Sequence, residues 1–392
     1  MPDKWTTTTL GEVAEWYSGG TPKAGEPKFY HGGTIPWVVI ADMANGEIRE
    51  TETSITRDGL EQIGGRLAPV ESTLVSMYAT VGRAAITHIP VATNQAIAWS
   101  VVDQKKMIPR FLFLIAQSLE KEIASAARGA TQRNINRAML REFQFQLPTL
   151  IEQRRIVDLV SSVDSYIFAL QQQADAARAA RNAVLSELLS AGGEDWTETT
   201  LGDISNFISL RVTPAKLDAV TPYVGLEHLV PRSAEISDWD TVRSISSSVT
   251  PFEPGDTLFG RLRPYLHKVA FAGFAGTCSP ELLVLRSNTK CDAGFLYLLC
   301  ALDSTIRKCV AMSAGTRMPR TSTSDLASIE IQLPPVVEQQ RIVSVISSLD
   351  EVIRSTEQAV AGSKRLRSGL LSDLLAGKHE IPESYDRLFG VT

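Results

Sequence analysis

One helix opening occurs twice in this chain. The segment LPTLIEQRRIVDLVSSVD begins at Leu147, and the closely similar LPPVVEQQRIVSVISSLD begins at Leu333. Two further pairs lie upstream of these segments: WTTTTLGEV matches WTETTLGDI, and FLFLIAQSL resembles FLYLLCALD. Self-similarity of this kind is the signature of a repeat architecture. The chain is therefore predicted to contain two copies of one unit, each a globular head followed by a long helix.

Both long segments carry the pattern of a coiled-coil helix. Apolar residues recur at alternating spacings of four and three, which places them on one face. In the first copy they are Ile156, Val160, Val163, Ile167, Leu170, Ala174, Ala177, Val184 and Leu188. In the second copy they are Ile342, Ile346, Leu349, Ile353, Val360, Leu370 and Leu374. An amphipathic helix present twice is most simply buried against its own copy, so an antiparallel pair is expected.

The start of each helix is also marked. Thr149 and Glu152 form a T-x-x-E capping box, and the second copy keeps an acid, Glu338, in its first turn, where the helix dipole favours it. One position on the apolar face is charged in both copies, Arg181 and Arg367. Two interpretations are open. Either each arginine extends to solvent at a fraying end, or a polar residue fixes the register of the pair or contacts a partner protein.

The heads read as mixed structure rich in short strands. Runs such as TIPWVVIADM, QAIAWSVV, DTLFGRL and ELLVLRS are β-branched or aromatic and are bounded by glycine, proline and polar residues. The runs around Phe111 and Phe295 are predicted to be short buried helices. The expected fold class is α+β, a tandem pseudo-two-fold repeat of two mixed α/β heads joined by two long antiparallel coiled-coil helices.

The charge of the chain is unevenly distributed. A net charge of −5 argues weakly against a nucleic-acid partner, because phosphate binding usually requires a basic surface. Local stretches differ from this average. Basic residues dominate GATQRNINR and the residues after it, and no acid occurs between Ser304 and Ser324, which includes GTRMPRTSTS. Both stretches precede a long helix, so both heads are candidates for DNA binding; for either stretch alone a solvated charged surface is the simpler alternative.

Candidate DNA-binding residues follow from side-chain chemistry. Arg, Asn and Gln match base edges, whereas Ser, Thr and main-chain amides suit phosphates. In the first head the candidates are Ser18, Gly19, Gly20, Thr21, Lys23, Tyr78, Thr80, Arg83, Asn94, Gln95, Arg133, Asn134 and Asn136. In the second head they are Arg211, Lys216, Arg261, Arg263, Tyr265, His267, Lys268, Arg317 and Arg320. The SGGTPK loop lacks the spacing of a nucleotide-binding loop, so it is either a contact to the DNA backbone or only a turn. Because the two sets differ, the heads are expected to read different sequences.

Other function classes find little support in the sequence. The cysteines Cys278, Cys291, Cys300 and Cys309 form no C-x-x-C pair, and the histidines are scattered, so neither a metal site nor a disulfide framework is expected. Motifs for ATP binding, adenine methylation, zinc proteolysis and serine hydrolysis are absent from the sequence, and Asp42 and Glu227 are interpreted as surface residues. The apolar runs are too short to cross a bilayer, so we expect a cytoplasmic protein with reduced thiols.

These features together resemble the specificity (S) subunit of a bacterial type I restriction-modification system. The resemblance covers nearly the whole chain and is carried by the repeated helix and head openings, SGGTPK, ATVGRAAI followed by TNQAI, and the glycine turn before each QLP. It implies target recognition domains at 1–149 and 191–334, conserved spacer helices at 150–190 and 335–378, and a tail at 379–392. The second head departs from this pattern, with SLRVTPAK in place of SGGTPK.

The resemblance also implies a function and a set of partners. Each head would read one half of an asymmetric, two-part site in double-stranded DNA, and the helices would set the gap between the halves. Methyltransferase (M) subunits, two of them expected, would dock on this chain and bring S-adenosylmethionine. Restriction (R) subunits would bring ATP and Mg²⁺. The chain itself would be non-catalytic and bind no cofactor or metal.

Two alternatives stay open from the sequence. The same architecture could serve a methylation-only or related phage-defence system without a nuclease. In a different class, the chain could be a coiled-coil adaptor whose heads bind proteins. The adaptor alternative predicts no salt-sensitive DNA binding by the assembled complex.

Overall fold

Two compact units divide the chain. The computed structural model describes residues 5–127, 134–313, 318–379, 381–382 and 384–385. One unit joins Met1–Gln171 to Gln358–Thr392, and the other is Gln172–Glu357. Each unit therefore contains one head together with half of each long helix.

The first repeat consists of short strands and helices followed by one long helix. Its strands are β1 (Thr6–Thr9), β2 (Ala14–Ser18), β3 (Ile35–Val38), β4 (Glu47–Ile48), β5 (Ser54–Ile55), β6 (Thr73–Ser76), β7 (Ala84–Thr87), β8 (Ala92–Thr93), β9 (Ile97–Val102) and β10 (Gln144–Leu147). Its helices are α1 (Leu10–Val13), α2 (Pro27–Tyr30), α3 (Arg57–Gln62), α4 (Pro109–Ser118), α5 (Glu120–Ala126), α6 (Arg137–Arg141) and the long α7 (Leu150–Ser190).

The second repeat follows the same plan. Its strands are β11 (Thr197–Thr200), β12 (Ser205–Phe207), β13 (Pro222–Val224), β14 (Asp240–Thr241), β15 (Thr250–Phe252), β16 (Thr257–Gly260), β17 (Val269–Phe271), β18 (Gly276–Cys278), β19 (Leu282–Ser287) and β20 (Glu330–Leu333). Its helices are α8 (Leu201–Ile204), α9 (Ala293–Ala301), α10 (Asp303–Met312), α11 (Thr323–Ala327) and the long α12 (Val336–Leu375).

The first head is built on a five-stranded sheet. Its strand order is β2-β9-β6-β7-β4, and a smaller sheet has the order β5-β3-β8. Helix α4 supplies the fully buried Phe111 and packs in one cluster with Ile156 of α7 and Leu371 of α12. Burying a large apolar side chain contributes about 1.5–3 kcal/mol. The head and the helix segments of this unit thus share one hydrophobic core.

The second head has two four-stranded sheets. Their strand orders are β12-β19-β16-β17 and β14-β13-β18-β15. Helix α9 contributes the buried Phe295, which clusters with Leu185 of α7 and with Ile342 and Ile346 of α12. The predicted buried helices around Phe111 and Phe295 are therefore confirmed as α4 and α9, and the predicted α+β fold class is confirmed as well.

Within each unit the two long helices run antiparallel. In the first unit Asp164 of α7 contacts Arg367 of α12, and Ile156, nearer the start of α7, clusters with Leu374, nearer the end of α12. The predicted apolar positions are all buried or half-buried. Leu185 and Leu371 are also buried on this face, although the four-and-three spacing did not include them. The face is wider than a strict coiled-coil seam because each helix also covers a head.

The two arginines on the apolar face are paired inside the chain. Arg367 lies on Asp164, and Arg181 lies on Asp350; both side chains are mostly buried. The interpretation that each arginine extends to solvent is therefore wrong, because an aspartate on the facing helix accepts its hydrogen bonds. The contacts fit the alternative in which a polar pair fixes the register of the helices.

A buried glutamine connects each head to its following helix. Gln153 is 0% exposed; its Oε1 accepts the N–H of Ile108 at 2.9 Å, and its Nε2 donates to the carbonyls of Lys106 and Pro148. Gln339 makes the equivalent three bonds in the second unit, including one from the N–H of Asp292 at 2.7 Å. A fully satisfied buried amide holds a segment in one orientation. Each head is therefore fixed on the first turn of its helix.

The helix starts agree with the expected capping. Thr149 and Glu152 make the predicted capping box, with the Thr149 hydroxyl donating to Glu152 Oε2 at 2.8 Å. In the second repeat Glu338 instead pairs with Arg341. No helix in the described part of the chain is long and apolar enough to cross a membrane.

Candidate nucleic-acid interface

Main-chain hydrogen bonds hold three segments of the first head side by side. We call this set the first junction: residues 77–83, 94–96 and 134–136. The N–H of Met77 donates to the carbonyl of Ala96 at 2.7 Å, and the N–H of Ile135 donates to the carbonyl of Met77 at 3.1 Å. These segments follow β6, follow β8 and precede α6, so the sheet topology brings them together from distant parts of the chain.

The second head contains the same arrangement. We call it the second junction: residues 261–268, 279–281 and 319–321. The N–H of Arg261 donates to the carbonyl of Glu281 at 3.0 Å, and the N–H of Thr321 donates to the carbonyl of Arg261 at 2.8 Å. A side-chain oxygen two residues back accepts from the main chain in both heads, from Ala96 in the first and from Glu281 in the second. The two junctions therefore share one main-chain frame.

The side chains on this shared frame differ. By hydrogen-bonding position the pairs are Met77 and Arg261, Ala96 and Glu281, Asn134 and Arg320, and Ile135 and Thr321. The first junction is thus largely apolar at positions where the second is charged or polar. Because the main chain is the same and the side chains differ, each head places different chemical groups at the equivalent position of its surface.

The second junction concentrates positive charge. Arg320 is 47% exposed and pairs with Glu281. Arg261 is half-buried; desolvation lowers the pKa of its guanidinium, and the nearby charges of Arg320 and Arg211 act in the same direction. Burial is the largest cause of this lowered pKa, Glu281 acts in the opposite direction, and the contributions of Arg320 and Arg211 show that the three arginines lie close together. This cluster brings together three arginines predicted from the sequence, Arg211, Arg261 and Arg320.

An exposed aromatic side chain lies on the long loop of each junction. Tyr78 is 41% exposed and Tyr265 is 53% exposed. The main chain in these loops has a positive φ at non-glycine residues, Ala79 in the first and Arg263 and His267 in the second. Such conformations cost free energy and cluster at binding sites, where the surrounding structure enforces them. Both loops therefore combine unusual main-chain conformations with a tyrosine at the surface.

The SGGTPK loop of the first head packs beside the first junction. The N–H of Gly20 donates to the carbonyl of Thr93 at 2.9 Å, and a Cβ on Gly19 would lie only 1.8 Å from that oxygen. Thr21 contacts Gln95 through its hydroxyl. The glycines are thus required by a close main-chain approach, which leaves Ser18, Thr21 and Lys23 exposed next to the junction, with Lys23 paired to Glu26.

Two predicted residues of the second head are used internally. His267 is 6% exposed, and its Nε2 lies 2.7 Å from the carbonyl oxygen of Ala301; burial lowers the pKa of the ring. The amine of Lys268 donates to the carbonyl of Leu226 at 2.8 Å. The expectation that these two side chains meet DNA needs correction, because their polar atoms already bond within the head and stabilise the loop.

The remaining predicted residues fall into three groups. The side chain of Asn136 caps α6 by accepting from Met139, and that of Asn94 accepts from Ala96, so both help to build the first junction. Exposed or half-buried positions with free surface are Thr80, Arg83, Gln95, Asn134, Arg211, Lys216 and Arg263. Arg133 and Arg317 lie outside the described residues.

Sequence reasoning missed Glu281 and the two glutamines that fix the heads. Glu281 stands at the position of Ala96 in the TNQA segment, and only the main-chain bonds reveal this equivalence. Gln153 and Gln339 belong to the repeated Glu-Gln pair that the sequence showed. Two polar residues at a helix start are normally predicted to be exposed to solvent. Their burial was not predictable from a local pattern.

Three residues outside the junction segments could hold a metal ion. Ligand atoms of Glu227, His228 and Asp240 lie within 4.8 Å of one another, and both carboxylates are exposed. His228 already accepts the N–H of Gly225 through Nδ1. Exposed carboxylates are common without an ion, so this group is not assigned a function.

Apolar side chains are exposed at equivalent positions of the two long helices. Ile151 is 63% exposed at the start of α7, and Val337 is 80% exposed at the start of α12. Tyr166 and Val352 form a second such pair further along. Large apolar side chains grouped on a surface mark sites of protein association. The helices therefore offer a similar apolar surface in each unit.

Comparisons with known proteins agree on one family. The family described as type I restriction modification DNA specificity domain matches residues 2–177 and 193–361. The chain is 23% identical to the MjaIX type I restriction enzyme specificity subunit of Methanocaldococcus jannaschii, with 98% of this chain and 95% of that protein covered. It is 22% identical to the EcoKI specificity subunit of Escherichia coli K12, with 96% and 90% covered.

Two solved structures share the fold. The type I restriction-modification S subunit from M. genitalium matches with a TM-score of 0.54 at 16% identity, covering 95% of this chain and 97% of that one. A chain from a structural study of complex assembly and conformational transition of the type I R-M system matches with a TM-score of 0.60 at 18% identity, covering 96% and 98%.

Proposed function

Because the chain belongs to the family of type I restriction modification DNA specificity domains, we propose that each of its heads reads one half of an asymmetric, two-part DNA site. The chain is the DNA sequence-specificity subunit of a type I restriction-modification complex. The finer assignment, one half-site for each head, follows from the two junctions.

The observation that carries this proposal is the shared frame with unlike side chains. A repeat protein that bound a palindrome would present the same residues twice, as symmetric DNA-binding dimers do. Here Met77 and Arg261 occupy the same position of the frame, as do Ala96 and Glu281. The two heads thus share a main-chain frame that could meet DNA in the same way, but they carry different side chains to contact the bases. This difference suits a site whose halves differ in sequence.

The chemistry of the exposed residues suits base and phosphate contacts. Gln95 and Asn134 in the first junction and Arg320 in the second carry the amide and guanidinium groups that pair with base edges. A good bidentate contact of this kind contributes about 1–3 kcal/mol of discrimination between bases. Tyr78 and Tyr265 add aromatic surface beside these groups. The acidic net charge of the chain is compatible with this function because Arg261, Arg263 and Arg320 place positive charge at the second junction.

Partner subunits have a suitable surface on the helices. We assign the equivalent apolar positions, Ile151 with Val337 and Tyr166 with Val352, to the docking of methyltransferase subunits. Because the surface occurs twice, two methyltransferase subunits bind. Restriction subunits join the same complex. The length of the two helices sets the unspecified gap between the half-sites.

The chemistry of the complex resides in the partners under this proposal. The chain is non-catalytic, and the methyltransferase subunits bring S-adenosylmethionine and take the target adenine out of the helix. The restriction subunits bring ATP and Mg²⁺. What this chain supplies is the position of the complex on DNA.

The test is to co-express the chain with its methyltransferase subunit in an unmodified host and to map adenine methylation by single-molecule sequencing. We expect a split, asymmetric motif that disappears when the chain is omitted. A stable complex without any motif, and without salt-sensitive DNA binding, would contradict the proposal and favour the adaptor. A motif found in the absence of restriction of unmodified DNA would instead favour the methylation-only system.

A further inference from the structure

Two charged side chains of the second junction each have a buried atom without a hydrogen-bond partner among the described residues. These atoms are Nε of Arg261 and Oε2 of Glu281. The two residues stand on adjacent segments joined by a main-chain bond of the junction. Buried polar groups are almost always satisfied, and the exceptions call for a functional explanation.

The junction frame itself does not require this polar set. At the equivalent positions the first junction has Met77 and Ile135, which are buried apolar residues, and Ala96. The same main-chain bonds are therefore formed around an apolar interior. Since an apolar set is sufficient for folding, the polar set in the second head points to a ligand rather than to stability.

The charged groups are arranged around one carboxylate. Glu281 binds Arg320 through Oε1, and its side chain is 33% exposed; Oε2 is buried, so Oε1 is the oxygen that a base can reach. Arg320 is half exposed at the surface, and Arg261 lies behind it as a second positive charge. Exposed Tyr265 lies in the same segment as Arg261. An acceptor and a planar donor thus lie side by side at the edge of the head.

This pairing matches one base pair in the major groove. A carboxylate accepts from the N4 amino group of cytosine, and an arginine donates to O6 and N7 of guanine. Guanine and cytosine of one pair present these groups next to each other. A·T pairs offer adenine N6 as a donor but no O6/N7 acceptor pair for arginine, so they use only half of the arrangement.

We propose that Glu281 and Arg320 read a C·G base pair in the half-site of the second head, with Glu281 accepting from cytosine N4 and Arg320 donating to guanine. This inference rests on the proposed function and adds the base pair and the two residues that read it. Arg261 and Arg211 keep the surface positive. The first head, with Ala96 at the position of Glu281, reads its half-site by other residues.

The experiment compares methylation motifs of complexes that contain the methyltransferase subunit and either the wild-type chain or Glu281→Gln. The wild-type motif should contain a C·G pair in one half. In Glu281→Gln we expect discrimination at that one position to fall by about 5- to 150-fold, as one bidentate contact predicts, with the other half unchanged. Glu235→Gln, an exposed glutamate of the same head outside the junction, is the matched control and should leave the motif intact.

The outcomes separate this inference from the proposed function. A wild-type complex without a split motif overturns the proposed function and this inference with it. A split motif that Glu281→Gln leaves unaltered, or whose halves both lack a C·G pair, overturns the inference alone. If Glu281→Gln does not assemble, the surface variant Arg320→Ala replaces it, and an unaltered motif in that variant also overturns the inference.

Discussion

Arg367 forms two hydrogen bonds with Asp164, from Nε to Oδ1 at 2.5 Å and from Nη2 to Oδ2 at 3.0 Å. Arg181 and Asp350 repeat this geometry in the other unit, at 2.8 and 3.2 Å. Each aspartate is the last residue of the repeated helix opening, and each arginine lies on the facing helix. The two pairs therefore fix how α7 and α12 are aligned within each unit.

This pairing predicts a measurable coupling between the two side chains. A double-mutant cycle of Arg181→Leu and Asp350→Ala should give a coupling free energy of about 1–2 kcal/mol, because the pair is bidentate and the Arg181 side chain is only 14% exposed, although that of Asp350 is 44% exposed. Chemical unfolding of the two single variants, the double variant and the wild type provides the values. The exposed pair Arg354 and Glu351 on the same helix is the matched control, and its coupling should be about 0.5 kcal/mol or less. Equal coupling in both pairs would contradict a register function.

The buried glutamines predict a second effect on stability. Gln153→Leu leaves the N–H of Ile108 and two carbonyls without partners, so the free energy of unfolding should fall by about 2–4 kcal/mol. Thermal unfolding checks this value. Gln173→Leu, at an exposed position of α7, is the control and should change stability by less than about 0.5 kcal/mol. An unchanged melting temperature in Gln153→Leu would show that the head is fixed by apolar packing alone.

The cysteines of the second head predict a loss of stability at alkaline pH. Burial raises the pKa of Cys309 to about 11 and those of Cys278 and Cys291 to about 12, from an ordinary value of 9.0. The unfolded thiols lose their protons once the pH passes about 9, whereas the folded ones keep them. The unfolded state then binds fewer protons, so the free energy of unfolding falls as the pH rises from about 9 towards the folded pKa values.

Unfolding midpoints in denaturant at a series of pH values between about 8 and 11 test this dependence. Cys278→Ala removes one of the titrating thiols, so its stability should decline less steeply with pH than that of the wild type. Stability that rises over this range, or an identical slope in the two proteins, would show that the thiols do not control the response.

The equivalent apolar positions of the helices predict how many partner subunits bind. Ile151→Asp or Val337→Asp alone should remove one methyltransferase subunit from the purified complex, and both together should remove two, because a carboxylate at an apolar contact is costly to bury. Mass measurement of the complexes gives the stoichiometry. Ala179→Asp, at another exposed helix position, is the control. If the double variant still binds two methyltransferase subunits, these positions are not part of the docking surface.

Much of the architecture was predictable because it is encoded locally. The spacing of Ile156, Val160 and Ile167 predicts a helix face without reference to any other segment, and the same holds for the capping box at Thr149. The short buried helices that contain Phe111 and Phe295 were likewise predictable, because each is a continuous run of apolar residues. Because these signals occur twice along the chain, the sequence predicted a fold with two similar halves. The same repeated motifs carried the resemblance to one family.

The candidate site was predictable only in part. Basic residues and tyrosines led to a set of predicted DNA-binding loops, because charge and aromatic content can be counted along a segment, and the structure brings several of these loops together at the two junctions. The burial of His267 could not be read in this way, since its Nε2 bonds to Ala301, which arrives from a different element. The same limit applied to the glutamines, whose partners lie in the head rather than in the helix.

The sequence by itself determined the repeat, the two long amphipathic helices, the mixed heads and the family. Tertiary structure alone decided which residues share a junction: Arg261, Glu281 and Arg320 come from three separate segments, and only the register of the strands and the main-chain bonds between loops brings them together. The physical reason is that helix periodicity and capping depend on near neighbours in the chain, whereas a site of this kind depends on contacts between distant segments, which the packing of the whole head selects.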